Sequence, residues 1–230
     1  NYTRVWGLQG LFTPSMKQNV DINNFPVYAV PDSGHIGIAE LRKAFRFHYD
    51  GTDHDPYLHN NGKEPWRPVS IFRTTQTHLL QVRPWLPEAI GHITYVANGM
   101  ADLGVFLPIY QGIKSFPKAY SIGDNHCSDD SAYWKFRKVM TLAMTNYNAY
   151  APLVKETYAK LEAENDERQK EFEARYLAIY KEKPMEAQDM LQDFSDEILN
   201  KALEVADQLT LELFTRLTAD TMKAYMFHGA

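Results

Sequence analysis

The 230-residue sequence contains a single cysteine, Cys127. One thiol excludes an internal disulfide and fits a reducing, cytoplasmic setting. Long apolar runs are absent: the most hydrophobic stretch, residues 103–110, is interrupted by Pro108 and is far too short to cross a bilayer. No membrane partner is therefore expected. Nor do the first residues show the basic, apolar, small-residue order of a secretory signal. There is no basic excess either. Lys and Arg number 24 against 29 Asp and Glu, a net charge of -5, so the footprint that phosphate binding usually leaves is missing and nucleic acid is not an expected partner. No internal repeat, low-complexity linker or helical H-E-x-x-H spacing occurs.

What is present is ordinary globular material. Apolar residues at 44% and charged residues at 23% can bury a sizeable core without disulfides or metal. The chain starts Asn1-Tyr2-Thr3-Arg4, which reads as sequence already inside a domain. The expectation is a piece of a longer protein.

The texture changes near residue 128. Residues 1–127 hold most of the Gly and Pro and have short apolar runs, as in an α+β body. Residues 128–230 have the charge content and spacing of long helices packed on that body within one domain. In the first part, 5–9 and 27–30 are strand candidates. Residues 36–49 have helical spacing and end at Gly51. Residues 71–82 alternate as a strand with polar side chains on both faces, Arg73 on one and Thr74 and His78 on the other, and the prolines at 84 and 87 close it. Residues 92–97 and 104–107 are further strands, and the short connections favour antiparallel pairing. In the second part Ser128 is a candidate cap, and Tyr133, Phe136, Met140, Ala143 and Tyr147 share a face. Pro152 suits the first turn of the next helix, whose polar middle, 162–171, should project into solvent. Pro184 interrupts it. Ser195 is a candidate cap for a last helix with a stripe of Leu199, Ala202, Ala206, Leu209, Leu213 and Leu217.

Three constellations could carry chemistry. His48-Tyr49-Asp50-Gly51-Thr52-Asp53-His54-Asp55, with His59 behind it, is the densest group of ligand-type residues. It would suit zinc or manganese, but Asp and Thr capping backbone groups in a polar turn account for most of it. Ser70-Ile71-Phe72-Arg73 puts an arginine near hydroxyls, where it could grip a carboxylate or pair with an acid. Cys127 lies beside His126 among Asp124, Asp129 and Asp130, acids that would raise a thiol pKa and disfavour a nucleophile.

The stretch from Arg67-Pro68-Val69-Ser70-Ile71-Phe72-Arg73 to Leu80-Gln81-Val82-Arg83 resembles the thiol dipeptidases of the dipeptidase A type. Arg4-Val5-Trp6, Phe12-Thr13-Pro14, His48-Tyr49-Asp50-Gly51-Thr52, Leu107-Pro108-Ile109-Tyr110 and Ser131-Ala132-Tyr133-Trp134 match in the same order. The resemblance implies an N-terminal-nucleophile hydrolase, two antiparallel sheets sandwiched between helical layers, that cleaves dipeptides without metal or cofactor. Its nucleophile is a cysteine at the mature N-terminus, whose α-amino group serves as base. That segment has no counterpart in this chain, and the matching pieces belong to the family's C-terminal half. The expected partners are the missing N-terminal half and a dipeptide, with a homo-oligomer as a further option.

The resemblance carries over one catalytic candidate, Arg73, which would sit beside the thiol and favour thiolate or hold the substrate carboxylate. Thr74 and His78 are secondary substrate-binding candidates. Gln76 stands where the family commonly has Glu. Two other readings compete: an interaction module without catalysis, and a metal-dependent hydrolase using His48, Asp50, Asp53 and His54.

Overall fold

A computed structural model describes residues 1–22, 25–58 and 65–226. The architecture is α+β. Helices α1 (Tyr2–Phe12) and α2 (Ile38–Arg46) precede strand β1 (Gln76–Val82). A short helix α3 (Glu88–Gly91) leads into β2 (His92–Asn98) and β3 (Leu107–Tyr110), and three long helices follow: α4 (Ala132–Thr145), α5 (Tyr147–Ile179) and α6 (Pro184–Ala224).

The strands form one antiparallel sheet in the order β1-β2-β3, with Leu79 opposite Tyr95, Tyr95 opposite Pro108, and Ile93 opposite Tyr110. Alternation sends Thr77 and Leu79 of β1 and Ile93, Tyr95 and Ala97 of β2 to the same buried face. The helices cover that face, and one apolar core runs from Leu79 through Phe136 and Val154 to Leu213. The opposite face is open. Leu80 is 68% exposed and Val82 62% exposed, and His78 lies beside them on the outer edge strand.

Several elements differ from the sequence reading. Residues 5–9 belong to α1, where helical phase aims Trp6 at the Gln18 carbonyl and Gln9 at the Pro26 carbonyl. Residues 27–30 are not a strand. Val27 and Tyr28 are 88% and 89% exposed, and an isolated extended segment has no ladder to join. β1 begins at Gln76, so Arg73 is not on a strand. A turn with the Thr74 N–H donating to the Ile71 carbonyl (2.9 Å) holds it instead. α4 is capped at Ser131, whose hydroxyl donates to the Ile122 carbonyl (2.7 Å), rather than at Ser128. Pro152 stands in the second turn of α5, and the unpaired carbonyl it leaves belongs to the exposed Asn148. Ser195 caps nothing. It is buried inside α6 and donates to the Leu191 carbonyl (2.8 Å).

The polar middle of α5 does not project into solvent as a whole. Glu162, Asn165 and Gln169 are buried. With Asp166 and Glu173 they form a helix-period stripe facing α2 and the sheet. Asp166 takes both Arg42 nitrogens (2.7 and 2.9 Å), Glu162 takes Arg46 (2.5 and 3.1 Å), and Glu173 takes Arg83 (2.8 Å at both nitrogens). Burying these charges is tolerable because each carboxylate meets a two-pronged guanidinium.

The turn after β2 depends on Gly99. Its φ is +86°, and an added Cβ would lie 2.4 Å from the Met140 sulfur. Gly99→Ala is expected to cost about 2 kcal/mol, from left-handed strain and displacement of Met140. Urea unfolding would measure it, and a cost below about 0.5 kcal/mol would show that the turn does not hold this geometry.

Candidate functional site

The densest polar chemistry lies at the end of the sheet where β1 begins and β2 ends. The segment after α2 turns sharply there. Tyr49 (φ +67°) and Gly51 (φ +73°) both take left-handed backbone, and the Tyr49 carbonyl accepts the Thr52 N–H (3.0 Å) and hydroxyl (2.8 Å). A buried tyrosine in that conformation is uncommon and is held only because its surroundings fix it. The turn drives the His48 ring inward.

His48 is buried, and both its ring nitrogens are engaged. Nδ1 lies 3.0 Å from Asp55 Oδ1. Nε2 lies 2.9 Å from Asp50 Oδ1 and 3.4 Å from Asp102 Oδ1, with the Tyr147 hydroxyl at 3.0 Å. Tyr147 donates to Asp102 Oδ2 (2.5 Å), and Lys155 Nζ is 2.7 Å from Asp102 Oδ1. The Asp102 backbone N–H donates to Ser70 Oγ (2.9 Å), and Tyr57 donates its hydroxyl to the Ser70 carbonyl. The site therefore ties four segments together: 48–57, Ser70, Asp102, and α5 through Tyr147 and Lys155.

Burial opposes charge on His48, but Asp102, Asp50 and Asp55 more than offset it and hold the imidazole pKa up at about 11. Burial likewise opposes charge on Asp102 and Asp50, and His48 and Lys155 still bring both below the ordinary carboxylate value. Tyr147 is pushed well above the usual phenol range by burial and by Asp102. With Asp55 at Nδ1 and Asp50 and Asp102 at Nε2, the ring is surrounded by acceptors that favour the imidazolium, which donates from both nitrogens. The network is a clamp that fixes the loops around it.

The metal reading gains no support from this geometry. Among the described residues no three His, Cys, Asp or Glu side chains converge as a metal would require. His54 stacks on Trp66 (3.6 Å between centroids, 6° between planes), and its N–H donates to Thr52 Oγ1 (3.2 Å). Asp53 lies in the same turn and is half-buried. His59 lies outside the described residues.

The other sequence candidates fall around the clamp. Ser70 belongs to it and Arg73 does not. Arg73 is exposed, with no hydrogen bond or ion pair among the described residues. Its turn is anchored by Arg137, which bonds the Phe72 carbonyl and lies 4.1 Å from the Phe72 ring centroid. Thr74 is half-buried, and His78 is exposed on the open face of β1. Cys127 is an exposed loop residue before α4. Asp102, Tyr147 and Lys155 were not found from the sequence. The one available signal was Asp102 itself, a lone acid in the apolar run 100–109.

A cavity of about 460 Å³ opens beside the clamp, with Asp50, Asp102, Lys155, Arg46 and Phe47 in its wall.

Residues 1–160 match the model of peptidase family C69. A probable dipeptidase of Salmonella dublin is 50% identical over 117 residues, covering 50% of this chain and 27% of that protein. A probable dipeptidase A of Streptococcus pyogenes serotype M3 (strain SSI-1) is 27% identical over 94% of this chain and 48% of that protein. Dipeptidase A of Lactobacillus helveticus is 25% identical over 92% of this chain and 45% of that protein. The chain thus spans no more than about half the length of these curated relatives.

Proposed function

This chain belongs to peptidase family C69, and from that premise we propose that it is one portion of a cysteine dipeptidase whose nucleophile lies outside these 230 residues. The relatives named above are called dipeptidases, which supports the substrate class. The thiol then comes from elsewhere: Cys127, the sole cysteine, sits on an exposed loop and does not match the family's nucleophile position.

The observation that carries this reading is the one-sided sheet. Helices cover one face, while Leu80 and Val82 are exposed on the other and β1 has no strand neighbour on its outer side among the described residues. A second sheet packed on that face, contributed by the N-terminal half of the same protein, would complete an N-terminal-nucleophile sandwich of two sheets between helical layers. It would also bring a cysteine near the Ser70–Arg73 turn. Residues 1–127 and 128–230 then form one domain, since the helices from 132 onward supply the core beneath β2 and β3. The lone thiol favours a cytoplasmic location. Among the described residues no helix is long and apolar enough to cross a membrane.

The reading is tested by comparing the isolated 230-residue chain with the complete gene product. The isolated chain is expected to self-associate through its open sheet in light scattering and to release no amino acid from alanyl-leucine. The complete protein is expected to hydrolyse it and to lose activity on alkylation of one N-terminal thiol. Hydrolysis that persists after alkylation would refute the cysteine mechanism. A complete protein that binds partners but hydrolyses no dipeptide would favour an interaction module instead.

A further inference from the structure

The seam between α5 and α6 carries charge that the fold does not consume. Two adjoining grooves of about 580 and 610 Å³ run along it and share Arg168, Asp193 and Glu197. Together their walls hold eight carboxylates and three basic side chains, a balance of -5, equal to the formal charge of the whole chain. Arg168 is spent on Glu197, and Lys201 on Glu204. Glu164, Glu171, Asp189 and Asp193 are exposed and have no ion pair or hydrogen bond among the described residues. Arg175 is the one basic wall residue without a partner among them.

Acids on a helix surface imply no more than counterions. The floor of the seam adds a second feature. Asn165 stands where the buried stripe of α5 meets α6 and is 1% exposed, yet its Nδ2 has no hydrogen-bond partner among the described residues. Buried amides are rarely left unpaired, and a side-chain amide can turn either its oxygen or its nitrogen toward a ligand. Beside it the floor is apolar: Leu161, and the stacked rings of Phe172 and Phe194 (4.3 Å between centroids).

The spacing of the carboxylates decides what kind of cation fits. Among the described residues no three acids converge as a metal would require. Those on α6 run from Glu186 to Glu204, about 27 Å of helix at 1.5 Å per residue. The complementary cation is long, with its charges spaced along an apolar backbone. We propose that this seam binds a linear aliphatic polyamine, its ammonium groups along the carboxylate walls, one of them at the Asn165 amide, and its methylenes over Leu161 and the phenylalanine rings. Each ammonium then donates charge-assisted hydrogen bonds. The aromatic floor suits methylenes and ammonium groups alike. A basic peptide matches less well, because its backbone amides would meet the apolar floor unpaired. The proposal does not depend on the dipeptidase reading.

The test is calorimetric titration of the complete protein with spermine, putrescine, tetralysine and magnesium chloride at about 0.15 M salt, where diffuse surface attraction is largely screened. Spermine is expected to bind at least about 10-fold tighter than each of the other three. The double variant Glu164→Gln/Asp193→Asn should weaken spermine at least about 10-fold. Both residues are exposed, so folding is not at stake. Asn165→Leu should weaken spermine as well while leaving the thermal midpoint unchanged or raised, since it removes a buried amide that has no partner to lose. Glu88→Gln, an exposed acid outside the groove, should change nothing. Magnesium binding as tightly as spermine, wild-type affinity in Asn165→Leu, or an equal loss in Glu88→Gln would reduce the effect to diffuse counterion attraction and overturn the proposal. Tetralysine binding tighter than spermine would overturn it in favour of a basic peptide.

Discussion

Arg73→Ala in the complete enzyme is expected to lower kcat/KM for dipeptides about 100-fold, while the thermal midpoint stays within about 1 °C of wild type. The two halves of that expectation have separate causes. Arg73 is exposed and makes no hydrogen bond or ion pair among the described residues, so its removal takes nothing from the fold. A guanidinium beside a thiol favours thiolate, and a shift of about two pKa units corresponds to about 2.7 kcal/mol, or roughly 100-fold. If Arg73 grips the substrate carboxylate instead, the loss falls on KM and not on kcat. Arg73→Lys separates these roles: a point charge preserves much of the thiolate effect but not a two-pronged grip. Smaller losses are expected at Thr74 and His78. Unchanged steady-state kinetics in both Arg73 variants would remove it from the site.

Asp102→Ala is expected to destabilise the protein by about 3–5 kcal/mol, because it strands a buried imidazolium and the neighbouring Lys155 without their shared carboxylate. The clamp also fixes the sign of the pH dependence. The His48 pKa is raised from 6.5 to about 11 on folding. Its contribution is therefore complete below pH 6.5 and declines as pH rises toward about 11, at up to about 1.4 kcal/mol per pH unit. Asp50 and Asp102 are lowered from 3.8, so their contributions are present above that value and lost in acid. The clamp therefore stabilises most between roughly pH 4 and 6.5. Urea midpoints of the complete protein should fall between pH 6.5 and 9, and His48→Gln should flatten that fall. A wild-type midpoint that rises over this interval would contradict the clamp.

How much of this was legible depended on whether the signal was local. The strand at β2, the helical spacing of α2 and the apolar stripe of α6 follow from period and burial, which are written in neighbouring residues. The same holds for the turn at Asp50-Gly51-Thr52, where Gly51 takes positive φ. The chain's composition by itself also determined that a core could form without disulfides.

Other features were decided by distant parts of the chain. Residues 5–9 have strand-like composition, yet Trp6 and Gln9 find their partners, the Gln18 and Pro26 carbonyls, from a helix. Glu162, Asn165 and Gln169 read as a solvent face, but α2 and the sheet lie over them and bring Arg42, Arg46 and Tyr95. Arg73 stood in an alternating run, and only the turn at Ile71–Thr74 took it off the strand. The clamp is the extreme case. His48, Asp102, Tyr147 and Lys155 are separated by up to 107 residues, and no spacing rule connects them. Local sequence determines period and turn because those depend on adjacent dihedrals. A buried charge network depends on which segments the completed fold places against one another, and that was settled only when the helices closed over the sheet.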